Sequence, residues 1–127
     1  MQHSPSLSSV PGERLYRIRL LGTGAADPTV EIGQGVTVAR TATGVYKVTF
    51  TDGPGTFVGI AGYVFGAATP GDVKGQTLTR STYTVPTSTA DGFISLSVWS
   101  STFAADDLQT TEYLDVTIAF SVVSGAH

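Results

Sequence analysis

Between Tyr113 and Val123 apolar side chains alternate with polar or small ones. Leu114, Val116, Ile118, Phe120 and Val122 face one way; Asp115, Thr117, Ala119 and Ser121 face the other. Successive side chains of a strand point to opposite faces, so this run is a half-buried antiparallel strand. The same period of two recurs at Leu15–Leu21, where Tyr16, Ile18 and Leu20 alternate with Arg17 and Arg19, and at Phe93–Ser101, where Ile94, Leu96 and Val98 share a face. Shorter strands are predicted at Thr29–Ile32, Val36–Thr41, Val45–Thr51 and Gln76–Val85. Thr43-Gly44, Asp52-Gly53-Pro54-Gly55, Pro70-Gly71 and the Pro86–Gly92 stretch punctuate them as turns. No window of 11 residues carries helical spacing, and Thr and Val, stiff at χ1 and at home on a pleated surface, dominate throughout. About eight strands with turns at short intervals predict an all-β fold, an antiparallel β-sandwich or barrel, whose strand order periodicity leaves open.

Thr56–Phe65 stands apart. On a strict period of two, Val58, Ile60 and Val64 share one face, and Phe57, Ala61, Tyr63 and Phe65 the other. A strand apolar on both faces needs cover on both, and a sandwich core supplies only one. The second cover is expected from a loop or a neighbouring subunit, with Phe57, Tyr63 and Phe65 as the subunit contact. Gly59 and Gly62 leave room for another backbone or ring to approach.

Residues 1–14, MQHSPSLSSVPGER, form a polar arm without periodicity, and 15–127 form the sandwich domain. An arm of this composition does not fold on a core of its own. A neighbouring chain is its expected holder, with Leu7, Val10 and Tyr16 as anchors. Gly22-Thr23-Gly24 precedes Pro28 and a β-pattern rather than a helix, so it is a hinge and not a phosphate loop.

The 127 residues suit one domain. Charged residues make up only 13% and the formal net charge is −3, so no basic face exists to neutralise phosphates and nucleic acid is not an expected partner. No run of about 18 apolar residues is present, so no membrane span is expected. Cysteine is absent and residues 1–13 lack the basic and apolar regions of a secretory signal; assembly in a reducing cytosol is the expectation.

Catalysis finds little footing. The two histidines, His3 and His127, sit at the ends of the chain, where no rigid frame holds a general base. Asp106-Asp107, Glu112 and Asp115 are acidic neighbours, but Asp in loops is first of all a turn residue. Asp27, Asp52, Asp72, Asp91, Asp106 and Asp107 fall in loops without the spacing of an EF-hand. The expectation is no enzyme, no cofactor and no metal site. Among the aromatic residues, Tyr83 and Trp99 are candidate glycan contacts in a carbohydrate-binding or adhesin-like module, the alternative function.

The segment Arg40-Thr-Ala-Thr-Gly-Val-Tyr-Lys-Val-Thr-Phe50 places a Gly-x-Tyr-x-Val strand in a domain of short strands. With Val36–Phe65, Phe93–Trp99 and Asp115–Phe120 it resembles the C1q and tumour-necrosis-factor-like jelly rolls, and small tailed-phage virion proteins that carry such a domain. The resemblance spans about the last 100 residues. The receptor-binding loops of the eukaryotic proteins have no counterpart here, so signalling is not carried over. The resemblance implies a jelly-roll subunit, frequently trimeric, on a virion surface; the function expected from it and from the composition is a homotrimer that decorates the capsid and is assembled in the host cytoplasm. The arm would bind the assembled shell and stabilise it by mass action.

Overall fold

The computed structural model describes residues 12–51, 55–68 and 75–121. Among them are eight strands and no helix: β1 (Glu13–Leu21), β2 (Thr29–Ile32), β3 (Val36–Ala42), β4 (Val45–Phe50), β5 (Thr56–Ala67), β6 (Thr77–Arg80), β7 (Gly92–Trp99) and β8 (Glu112–Ser121). They form two antiparallel four-stranded sheets, β2-β1-β8-β5 and β3-β4-β7-β6, stacked as a sandwich. The first and last strands pair along nine residues, from Glu13 opposite Ser121 to Leu21 opposite Tyr113. In an immunoglobulin domain those strands belong to different sheets. Here the ribbon rolls up instead: β1 lies on β8, β4 on β7, and the chain crosses between sheets after β2, β4, β5 and β7.

Alternation decides which side chains enter the core. From β1 come Tyr16, Ile18 and Leu20; from β4, Tyr46, Val48 and Phe50; from β7, Ile94, Leu96 and Val98; from β8, Leu114, Val116, Ile118 and Phe120. Tyr16 therefore belongs to the sandwich rather than to an arm. Its ring packs edge-on against Phe50 and Phe120, at centroid distances of 5.3 and 5.5 Å. Strand β1 begins at Glu13, so Glu13 and Arg14 belong to the sandwich and not to the arm expected over 1–14. Leu7 and Val10, the other expected anchors, lie outside the described residues.

Two local departures from period two matter. In β5 the register against β8 shifts between Phe57 and Gly59 and again between Ile60 and Gly62. Each bulge inserts one residue and flips the alternation. Phe57, Ile60, Tyr63 and Phe65 thus all lie opposite core-facing residues: Phe120, Ile118, Val116 and Leu114. Ile60 changes face relative to strict alternation. In Gln76–Val85 only Thr77–Arg80 is a strand, followed by an isolated bridge between Thr84 and Phe93. The Ser81 hydroxyl accepts the Ser95 N–H at 3.0 Å, taking the place of a ladder carbonyl and letting the chain bend there.

The loop after β7 is fastened rather than solvated. The Asp107 carboxylate accepts bonds from Arg40 Nε and Nη2 (2.9 and 3.0 Å) and from the Gly44 N–H (2.7 Å). Gly44 turns the β3–β4 hairpin at φ +70°, and a Cβ there would meet the Asp106 nitrogen and the Val98 carbonyl at 2.7 and 2.8 Å. Both constraints select glycine. Leu108 is fully buried, and its N–H donates to the hydroxyl of buried Tyr46 at 2.7 Å. The Gly22–Asp27 connection is also tied down. Gly22 N–H donates to Glu112, Gly24 N–H to Leu108, and the Thr23 hydroxyl to Ala26 and Asp27 carbonyls. It joins β1 to β2 inside the domain and is no hinge to the arm.

Removing the Tyr46 hydroxyl strands a buried N–H. Tyr46→Phe is expected to lower unfolding free energy by about 1–3 kcal/mol, measured by urea denaturation followed through Trp99 emission.

Candidate functional site

Two surfaces stand out once the fold is in place. The first is β5. It is the edge of its sheet, 12 residues long, and carries no charge. Val58, Tyr63 and Val64 are exposed at 58%, 41% and 60%. Tyr63 projects on the core side but lies edge-on to Phe65 at the rim, with centroids 5.6 Å apart. Val64, opposite Asp115, projects outward. A long apolar edge of this kind invites another chain, and natural proteins blunt such edges with charge, proline or bulges. Only bulges are present here.

Of the three expected contact residues, Tyr63 is exposed, whereas Phe57 and Phe65 are half-buried against their own core. Phe57 stacks on Tyr83 at 5.3 Å with planes 12° apart, and Arg80 places its guanidinium carbon 4.8 Å from the Phe57 centroid. The outward face of β5 is mostly glycine and alanine, because the bulges steer Ile60 inward. Only Val58 and Val64 leave large aliphatic groups beside the edge.

Tyr83 is not the open sugar platform expected of it. Its ring joins Phe50, Phe57 and Phe120 at the rim of the core. Its hydroxyl is buried without a hydrogen-bond partner among the described residues, and burial raises its pKa. Gly92 makes the space: a Cβ there would collide with the Tyr83 hydroxyl. A groove of about 370 Å³ opens beside this pair, lined by Thr56, Val58, Arg80, Thr82 and Val85 among others. It lies where the free edges of the two sheets, β5 and β6, face each other.

The second surface is the outward face of β6 and β7. Trp99 is half-buried there, and its indole N–H donates to the Thr79 hydroxyl at 2.8 Å. Beside it, Phe103 is 77% exposed. Thr77, Thr79, Trp99 and Phe103 line a shallow hollow of about 340 Å³. Phe103 was missed in the sequence because an aromatic residue in a loop carries no periodic signal of the face it takes. Further along β7, Phe93 lies under the Lys47 ammonium, 4.1 Å from the ring centroid.

Charged groups are organised on the other sheet and at the hairpin end. Asp115 on β8 receives Arg17 Nη2 at 2.8 Å and Arg19 Nη2 at 3.0 Å, and Arg19 Nη1 reaches Glu31 at 3.6 Å. The bonds from Arg17 above all, then Arg19, hold the Asp115 carboxyl below its ordinary value; those from Arg40 do the same for Asp107. Asp27 accepts the Arg40 backbone N–H, and Asp106 accepts Gln76. The loop carboxylates thus serve as internal fasteners. Among the described residues no three His, Cys, Asp or Glu side chains come together as a metal site. No protein-family model, curated protein or solved structure matches the chain.

The depressed carboxylates set a pH dependence. Each contributes stability that is complete above its unfolded pKa, near 3.8, and is lost as pH falls through the lower folded value. Asp107→Asn is therefore expected to be less stable than wild type at pH 6–7 and to lose less on going from pH 5 to pH 2. Urea midpoints across that pH series measure it.

Proposed function

We propose that the chain is a structural subunit that works by assembling, a capsid-decoration subunit on a virion surface. The observation that carries this is the uncharged 12-residue edge strand β5 with Val58, Tyr63 and Val64 in water. A partner seated over that edge would remove apolar surface from both sides of the strand at once. The bulges twist the edge away from indiscriminate main-chain pairing, which favours a contact made by side chains over an open-ended ladder. The resemblance of Arg40–Phe50 and its flanking strands to trimeric jelly rolls of virion proteins supports a closed trimer. In this proposal residues 1–11, with Leu7 and Val10, reach the shell. Binding only the assembled shell stabilises that state by mass action.

Light scattering at micromolar concentration is expected to give about three times the 13.2 kDa chain mass. A Val58→Ser, Val64→Ser double variant, altered only at exposed positions, is expected to shift the mass toward monomer while keeping its unfolding midpoint. A stable monomeric wild type overturns the trimer.

Deleting residues 1–11 leaves β1 intact. The truncated protein is expected to lose co-sedimentation with shells purified without this subunit. Retained binding removes the role of the arm.

A further inference from the structure

We propose that the hollow between Trp99 and Phe103 binds a neutral carbohydrate chain. This is independent of the β5 contact, which lies on the other sheet. Trp99 has its only polar atom engaged: the indole N–H is bonded to Thr79 Oγ1, which fixes the ring on the sheet surface. What remains for a ligand is aromatic carbon. The Thr79 hydroxyl, having accepted that bond, keeps its own hydrogen to donate, and Thr77 adds a second exposed hydroxyl across the strand pair from Trp99.

Phe103 is held in water by a built turn. Its N–H donates to the Ser100 carbonyl at 2.9 Å. The Ser100 hydroxyl accepts the N–H groups of Thr102 and Ala104, and the Ser100 N–H returns to the Ala104 carbonyl at 2.8 Å. Phe103 itself sits at φ +63°, a region that side chains bearing a Cβ rarely adopt. A bridge between Trp99 and Ala105 ties the turn back to β7. The turn thus holds a large apolar ring beside the indole instead of in the core.

The lining selects the ligand class. None of the four lining residues ionises. A charged ligand would be partly desolvated there with no counter-charge, and a purely aliphatic one would cover the threonine hydroxyls without bonding them. A neutral sugar ring has an apolar C–H face for the two aromatic rings and a rim of hydroxyls for the two threonines. The same outward face of β7 continues through Ser97 to Ser95 and stops short of Phe93, whose ring the Lys47 ammonium covers. From Trp99 to Ser95 the strand rises about 13 Å, room for two or three sugar rings in line. The site is therefore suited to a linear chain laid along β7, with Trp99 and Phe103 at its principal position.

The test uses Trp99, the single tryptophan of the chain, as reporter. The full chain is titrated with hexaoses of glucose (β-1,4 and α-1,4), of xylose and of N-acetylglucosamine. At least one is expected to change Trp99 emission saturably. Phe103→Ala, at a solvent-exposed position, is expected to weaken that ligand at least about tenfold; the Val58→Ser, Val64→Ser variant is expected to bind as wild type. Absence of a saturable change with all four, or undiminished binding by Phe103→Ala, overturns the proposal. A fall in solution mass on Phe103→Ala would also overturn it, by making the hollow a subunit contact.

Discussion

Strand β8 carries the fold because it is paired on both sides, by β1 along nine of its ten residues and by β5 across its two bulges. Its inward residues, Leu114, Val116, Ile118 and Phe120, are completely withdrawn from solvent. Phe120 is also the hub of an aromatic cluster, edge-on to Tyr16, Phe50, Phe57 and Tyr83 at 4.8–5.6 Å. Offset contacts of this kind add to the area that the rings bury. They link β1 and β5 on one sheet to β4 on the other, and they draw in Tyr83 after β6. That one cluster closes the end of the sandwich at which the groove between the free sheet edges opens.

A chain with so few charges places them economically. Asp115 ties β8 to β1 through Arg17 and Arg19, and Asp107 ties the loop after β7 to β3 and the β3–β4 turn through Arg40 and Gly44. Exposed pairs contribute little individually. Asp107 does more than pair, since it also satisfies a backbone N–H and so sets the path of the loop that carries buried Leu108. The uncharged β5 edge and the uncharged Trp99–Phe103 hollow are what this placement leaves open, and they lie on opposite sheets. A subunit held by one would present the other.

Much of this architecture is written locally. The even-numbered apolar positions of β8, the Tyr16–Leu20 and Ile94–Val98 series and the glycine at the β3–β4 turn follow from periodicity and backbone freedom alone. The candidate surfaces were only partly legible. Trp99 appears where an outward position was expected. Tyr83 was drawn inward because the Ser81 hydroxyl interrupts β6 and the space above Gly92 accepts the ring. Phe103 gave no periodic signal, and its exposure depends on hydrogen bonds within a turn.

The sequence by itself determined that the chain is all-β, which strands it has, and which face of most of them is apolar, since a period of two is a property of neighbours along the chain. Only the tertiary structure decided that β1 and β8 share a sheet, that β5 is an edge, and that two bulges turn Ile60 toward the core. Pairing and register depend on residues about a hundred positions apart, and no local pattern records them. Strand β5 is an edge because β8 covers one of its sides and no other strand among the described residues pairs with the second.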